Sequence, residues 1–411
     1  VPERIIVGID VGTTKVCVLV GEQDRNGKLN ILGTGLCPSR GLRRGVVINM
    51  SETVESITSA LDRAERLSGR KITSAYVGVA GSHIESLNSR GVVAISPNTR
   101  EIVFSDINRA IEAARAIEVP SSREVIHVIP RGYLVDGQEG VKNPMGMSGY
   151  RLEVECHIVT GAVASIQNLI KCVQKSQVEI DDLVLEPLAS SESVLMPTEK
   201  DLGVVLLDIG GGTTDVAIFV EGAIWHTVVL PLGGNLITND IAYGLRIPFL
   251  AAEELKVTHG HADPSQIPAG TRIDLEPFVP EYKEDADQHA LAEIIEARVE
   301  ELFEKVREEI KKSGYDGLLP SGIVITGGTA ELPGIVEKAR AMFNLPVRIG
   351  TPRGVHGVVD TVVNKPAFAT GVGLLLWGLR QSEALAADEA RSQEVPIVYQ
   401  RFKQWLQTLL P

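Results

Sequence analysis

The sequence predicts an α/β protein of two lobes with duplicated topology and a small α+β unit inserted into the first. Three observations carry this expectation. First, an apolar strand, a glycine-threonine turn and a second apolar strand occur twice. Ile5-Ile6-Val7-Gly8-Ile9 and Val16-Cys17-Val18-Leu19-Val20 flank Asp10-Val11-Gly12-Thr13-Thr14-Lys15. Val204-Val205-Leu206-Leu207 and Val216-Ala217-Ile218-Phe219-Val220 flank Asp208-Ile209-Gly210-Gly211-Gly212-Thr213-Thr214-Asp215. Second, the stretch 84–160 sets one helix among several strands and holds no such turn. Third, a chain of 411 residues, 44% hydrophobic and with 40 glycines, is long enough for two or more core-bearing units.

Each repeated turn reads as the tip of a β-hairpin. Glycines remove Cβ atoms from the tip, so backbone N–H groups can approach an anion closely. Thr13, Thr14, Thr213 and Thr214 add hydroxyl donors. Asp10 and Asp208 end their strands where a carboxylate can hold a metal through water. Residues Gly12 to Thr14 and Gly211 to Thr214 are therefore candidate phosphate ligands, with Mg²⁺ at the two aspartates. One such turn per half predicts two lobes closing on one nucleotide.

The remaining elements follow in order. Ile31 to Gly35 reads as a strand and Gly41 to Val47 as a basic turn. Ser51 to Ser68 reads as a helix, with Ser51, Glu52 and Thr53 as capping residues. Val54, Ile57, Ala60, Leu61, Ala64 and Leu67 have the spacing of a buried face. Ala75 to Val79 is a strand. Within the insert, Gly91 to Ile95 is a strand, and Ser105-Asp106 caps a helix reaching about Ile117. Val125 to Pro130 and Gly132 to Asp136 are two strand-like runs, and Arg151 to Val159 alternates as a half-buried strand. Lacking a phosphate loop, the insert is expected to contact another protein. A helix over Ser165 to Gln174, a strand over Asp182 to Leu185 and a helix from Pro187 return to the first lobe. Gly233-Gly234 precedes a helix from about Ile237, and Pro248 to Lys256 forms the next. The stretch 260–290 is polar and acidic, and His289 to Lys312 is a long amphipathic helix. Ile323 to Thr326 is a strand whose Gly327-Gly328 turn opens a helix from Leu332 to Phe343, suited to the nucleoside end of a ligand. Ala367 to Arg380 closes the core.

These readings place the first lobe core at 1–83 and 161–200 and the insert at 84–160. The second lobe core takes 201–247 and 321–380, with a subdomain at 248–320. A linker follows at 381–395 and an amphipathic helix at 396–411. In that helix Val398, Phe402, Trp405, Leu406 and Leu409 share one face, opposite Gln400, Lys403, Gln404 and Gln407. The segment carries two basic residues and no acid, which suits the plane of an acidic bilayer. The net charge of −13 argues against general nucleic-acid binding. Cys17, Cys37, Cys156 and Cys172 show no CxxC spacing and read as buried free thiols in a reducing compartment. No apolar run reaches the roughly 18 residues that span a bilayer. The chain enters a core strand directly, without a signal-peptide pattern. It begins at Val1, which leaves room for an initiator Met or a short leader before it.

In these residues the chain resembles the actin, Hsp70 and sugar-kinase superfamily, and within it the FtsA family of bacterial division actins. The resemblance spans essentially the whole chain. It is carried by Arg40-Gly41-Leu42-Arg43-Arg44-Gly45-Val46-Val47, His127-Val128-Ile129-Pro130, Asn143-Pro144-Met145-Gly146-Met147-Ser148-Gly149, Leu206 to Asp215, and Ala252-Glu253-Glu254-Leu255-Lys256. It implies an actin-like ATPase fold of duplicated ribonuclease H-like topology, with the family's extra subdomain at 84–160 and its membrane-targeting helix at the end. It implies ATP and Mg²⁺ as ligands and self-association into filaments. It places the protein peripherally on the cytoplasmic side of the inner membrane at the division septum. Its expected partners are the C-terminal tail of the tubulin-like FtsZ, membrane lipids, and other division proteins through the insert. In matching positions Asp10 and Asp208 would orient Mg²⁺ through water, Gly12, Thr13, Thr14, Lys15 and Gly211 to Thr214 would hold the phosphates with Lys15 as the cation, and Glu253, Lys256, Gly327 and Gly328 would border the nucleoside, with Gly233 and Gly234 nearby. Glu253 and Lys256, at i and i+3 of a helix, could equally pair with each other. No residue marks itself in the sequence as the one that positions a water, so at most weak ATPase activity is expected. A small-molecule kinase of the same fold, an Hsp70-like chaperone and an actin-like pilus-assembly protein are the competing readings. The first needs a substrate pocket with a general base, and the second a β-rich domain beyond residue 411. Against the third stand the Gly-Met-Ser-Gly run and the terminal helix.

Overall fold

A computed structural model describes residues 4–25, 27–280, 285–356 and 363–391, and of 384–391 the backbone alone. The terminal segment, with Val398, Phe402, Trp405, Leu406 and Leu409, lies outside the described residues.

The first lobe opens with β1 (Arg4–Val11), β2 (Lys15–Gln23) and β3 (Leu29–Pro38), an antiparallel meander. A small hairpin, β4 (Leu42–Arg43) and β5 (Val46–Val47), leads to α1 (Met50–Ser68) and β6 (Ser74–Val79). Asn49, not Ser51, caps α1, because its side chain accepts the N–H groups of Ser51 and Glu52. Ile57, Ala60, Leu61 and Ala64 are buried as expected, but Leu67 is 66% exposed. At that end the helix has passed the sheet it covers. Gly35 lets α1 lie directly on β3: a Cβ there would stand 1.8 Å from the Ala60 carbonyl oxygen.

The insert has its own four-stranded sheet and core. It comprises β7 (Ile84–Ala94), α2 (Phe104–Arg115), β8 (Arg123–Val135), β9 (Gln138–Val141) and β10 (Arg151–Ala162), ordered β7-β10-β8-β9. The two runs expected on either side of Arg131 form the single strand β8. A β-bulge opposite Glu155 and Cys156 takes up the irregularity there. α2 starts two residues early, after Val103, whose N–H is held by the Asp106 carboxylate at 3.1 Å. The Asn143–Gly149 loop closes the core end, with Gly146 donating to the Ile102 carbonyl and Ile102 to that of Met147.

The chain then returns through α3 (Val163–Lys175), β11 (Glu179–Leu185), α4 (Glu186–Val194) and the short α5 (Pro197–Leu202). His127 of the insert accepts the Leu185 N–H at 3.0 Å, and burial pushes its pKa down to about 4. It is thus a neutral acceptor, not a ligand.

The second lobe repeats the first. β12 (Val204–Ile209), β13 (Thr214–Val220) and β14 (Ala223–Leu230) form the meander. Then come α6 (Gly234–Leu245) and α7 (Phe249–His259), the two-residue pair β15 (Arg272–Ile273) and β16 (Ala286–Asp287), and α8 (Gln288–Lys312). β17 (Ile323–Thr326), α9 (Ile335–Phe343) and β18 (Val347–Ile349) complete the sheet. Its order is β14-β13-β12-β17-β18, with β12–β17 and β17–β18 parallel. The first sheet has the same plan, β3-β2-β1-β6-β11, extended at its edge by β19 (Val355–His356). The duplication seen in two short motifs thus extends over five strands in each lobe. Periodicity did not single out β14 or β18. The Gly327-Gly328 turn opens a 3-10 turn over Gly328–Glu331, and α9 begins after Gly334 instead of at Leu332. Gly327 and Gly334 both have positive φ, which no helix continues through.

α10 (Ala369–Arg391) closes the molecule and lies on the first lobe's sheet. It runs past Arg380, so the first part of the stretch expected as linker is helical. Among the described residues no helix is long and apolar enough to cross a membrane. All four cysteines are free; Cys17, Cys156 and Cys172 are buried and Cys37 is half-buried.

Candidate functional site

The two hairpin tips meet. A Cβ on Gly212 would stand 2.5 Å from Thr13 Oγ1, and one on Gly211 would stand 2.2 Å from Thr14 Cγ2. Both positions therefore admit only glycine at this separation. Gly12 donates to the Lys15 carbonyl and Gly210 to the Thr213 carbonyl, so the tips are closed by equivalent bonds of 3.0 and 2.9 Å. The N–H groups of Gly211 and Gly212 have no acceptor among the described residues. Beside the tips lies a crevice of about 360 Å³. Of the sequence-predicted residues, Asp10, Gly12, Thr13, Thr14, Lys15, Asp208, Gly211, Gly212, Thr213, Gly234, Glu253, Lys256, Gly327 and Gly328 line it.

Two predicted residues do not. Thr214 is fully buried and gives its hydroxyl to the Leu232 carbonyl at 2.8 Å. It is the first residue of β13, and the strand's alternation turns it inward. Gly233 lies behind the second tip, where a Cβ would be 2.7 Å from the Gly211 carbonyl oxygen. It lets α6 approach that tip: Gly234 and Asn235 donate to the carbonyls of Gly210 and Gly211 at 2.9 and 2.8 Å.

The floor of the crevice is acidic. Asp10 and Asp208, the two carboxylates expected at a metal, are buried. Burial raises the Asp10 carboxyl to about 6, with Lys15 opposing and Asp208 adding to the shift. Burial also raises Asp208, while bonds from Ser190 at 2.5 Å and Thr370 at 3.2 Å favour its charged form. Two further carboxylates converge here that sequence reasoning left without a role. Asp215 is pushed well up by burial and then by Asp208 and Asp10, and its Oδ1 is buried without a hydrogen-bond partner. Glu186, half-open to the crevice, is pushed well up by burial and then by Asp10, Asp215 and Asp208. The mirrored ends of the Asp208–Asp215 motif could have drawn attention to Asp215. Nothing local marks Glu186, the first residue of α4. Lys15 answers these carboxylates with one positive charge. Its Nζ donates to the Ala367 carbonyl and stands 4.4 Å from the centre of the Phe368 ring.

Such a cluster, with an orphaned carboxylate oxygen, fits a hydrated divalent cation. Among the described residues no three side chains stand close enough to ligate a metal directly. Retention through the metal's water shell, as Mg²⁺ prefers, suits this arrangement. At the other end Lys256 bonds Glu253 at 2.7 Å, Thr238 at 2.8 Å and the Gly234 carbonyl at 3.2 Å. Glu253 and Lys256 therefore do pair, and they also border the crevice. Asn235, Val257, Thr329, Glu331, Leu332 and Pro333 line it too and were not foreseen.

The family model described as cell division protein FtsA matches residues 205–373, and the one described as the SHS2 domain inserted in FTSA matches 81–160. The chain is 47% identical to the cell division protein FtsA of Pseudomonas aeruginosa, over 98% of both chains. It is 38% identical to that of Escherichia coli, over 91% of this chain and 90% of the other. For that of Bacillus subtilis the values are 40%, 92% and 84%. Among solved structures, a PilM–PilN type IV pilus biogenesis complex matches with TM-score 0.67 at 17% identity, over 91% of this chain and 98% of that one. MreB 5 of Spiroplasma citri bound to AMPPNP matches with TM-score 0.56 at 15% identity, over 93% and 99%. At those identities the structures share the actin-like fold and nothing more.

Proposed function

The chain belongs to the FtsA family of cell division proteins, and from that membership we propose that it binds Mg·ATP in the crevice, assembles into filaments on the cytoplasmic face of the inner membrane and tethers the FtsZ ring. The observation that carries the nucleotide reading is the contact of the two hairpin tips beside buried Asp10 and Asp208. The free N–H groups of Gly211 and Gly212, with the Thr13, Thr14 and Thr213 hydroxyls, are donors for phosphate oxygens. Lys15 would exchange the Ala367 carbonyl for a phosphate, a stronger, charge-assisted partner. When bound, Mg²⁺ neutralises charge on the β- and γ-phosphates. Asp10 and Asp208 hold the waters of its shell. Glu186, facing the same space with its pKa raised, is the group to orient an attacking water and take its proton. Glu253 and Lys256 border the ribose.

Residues 396–411 are the membrane anchor in this reading, and the insert is a contact for other division proteins. Identity of 38–47% to division proteins along nearly the whole chain favours this over a pilus-assembly role, for which the likeness is one of fold.

The deciding experiment is calorimetry on Asp208→Ala. Loss of the buried carboxylate should abolish Mg·ATP binding, and affinity equal to that of the native chain would refute the site. Deleting residues 396–411 should release the protein from liposomes, as should Trp405→Glu, which puts a charge into the apolar layer. Cosedimentation at native levels would refute the anchor.

A further inference from the structure

We propose that Glu331 reads the 6-amino group of adenine at the outer end of the crevice. This rests on the nucleotide reading above and adds the residue that selects the base. The crevice has a direction. Its inner end is set by the hairpin tips and the buried aspartates. Gly234, Thr329 and Lys256 come next, since a Cβ on Gly234 would lie 2.6 Å from Thr329 Oγ1 and 3.5 Å from Lys256 Nζ. Val257, next to Lys256, and Glu331, Leu332 and Pro333, which follow Thr329, line the same crevice; Val257, Glu331 and Pro333 are exposed, which marks this as its outer end. Val257 is 70% exposed although it lines a crevice. With Leu332 and Pro333 it offers apolar surface for a ring and no polar group to orient one.

Glu331 is the polar group at that end. Glu253 is already engaged by Lys256 and Thr238. Glu331 is exposed and makes no ion pair or side-chain hydrogen bond among the described residues. It can only accept hydrogen bonds. Adenine carries its donor at C6, whereas guanine carries a carbonyl acceptor there and its donors at N1 and N2. With ATP as the ligand of the reading above, the match is to the 6-amino group, and guanine's donors are the competing outcome.

The test is a cycle between the side chain and the base, run on the full chain. Dissociation constants are measured for ATP, for purine riboside triphosphate (hydrogen in place of the amino group) and for GTP. The proteins are the native chain, Glu331→Ala and Glu331→Gln. Deleting the amino group should weaken binding to the native protein about 10- to 100-fold, the range of a hydrogen bond to a charged group. It should leave Glu331→Ala within about twofold, while Glu331→Gln, a neutral acceptor, keeps part of the preference. The same ATP to purine-riboside ratio in the native protein and Glu331→Ala would overturn the proposal. So would GTP that binds the native chain as tightly as ATP and weakens in Glu331→Ala, since the carboxylate would then be reading guanine's N1 and N2 donors. If no triphosphate binds the native protein, the nucleotide reading fails and takes this one with it. Binding of all three with unaltered ratios removes the base assignment alone.

Discussion

Asp10 shows at the scale of one residue what burying a carboxylate costs the fold. Its carboxyl titrates at about 6 in the fold against 3.8 for the free group. Between those values the native state holds a proton that the unfolded chain has released. Stability from this group is therefore highest at low pH and falls as pH rises through that window. The difference between those two values corresponds to ~3 kcal/mol against the ligand-free fold at neutral pH. Asp10→Asn removes that burden. Its unfolding free energy should match the native protein below about pH 4 and exceed it above about pH 7, measured by denaturant titration without ligand. A gap independent of pH would mean that the carboxylate is not the source. Glu199 has the opposite sign. The Arg348 guanidinium, at 2.7 and 2.6 Å, holds its pKa below the usual value despite partial burial, so its contribution is lost as pH falls.

At the scale of elements, glycines decide how closely strands, helices and turns approach. Gly35 sits where α1 crosses β3. Gly35→Ala drives a Cβ into the Ala60 carbonyl, a backbone atom that moves only with the whole helix. A loss of about 2 kcal/mol or more is expected in chemical denaturation. Gly212→Ala meets the Thr13 Oγ1, Cγ2 and Cβ at 2.5, 2.8 and 2.9 Å, so rotating Thr13 gives no relief and the hairpin tip itself must shift. A short turn moves at lower cost than a helix, so the melting temperature should stay within a few degrees of the native value, while ATP affinity in the proposed site falls about tenfold or more because the tip is displaced. Equal loss of stability in both variants would show that the tips hold the lobes together. The α1 helix also marks a limit of periodicity. It indicated which face turns inward but not where the sheet beneath it ends, so Leu67 was placed inside.

At the scale of the molecule, the insert bridges the lobes. It grows from the first lobe, yet His157 Nε2 meets Thr227 Oγ1 of β14 at 2.9 Å and Ser86 donates to the Thr227 carbonyl at 2.8 Å. The Arg131 guanidinium lies 3.4 Å from the centre of the Trp225 ring. Excising residues 84–160 uncovers β14. The expected product keeps Mg·ATP binding at a reduced melting temperature and fails to extend filaments in electron microscopy on lipid monolayers. Loss of ATP binding would make the insert part of the catalytic core.

Both hairpin tips and the paired aspartates were legible in sequence, because each depends on residues adjacent along the chain. A glycine turn between two apolar runs forms a hairpin wherever it lies, and a motif repeated in each half implies a repeated lobe. The convergence of Glu186 and Asp215 on Asp10 and Asp208 was not legible. Nor were the inward turn of Thr214, the outer wall at Val257 and Glu331, and the seating of the insert on β14. Each depends on which strands become neighbours and which face of a strand meets the other lobe. Long-range packing fixes those relations, and no local pattern of residue types encodes them.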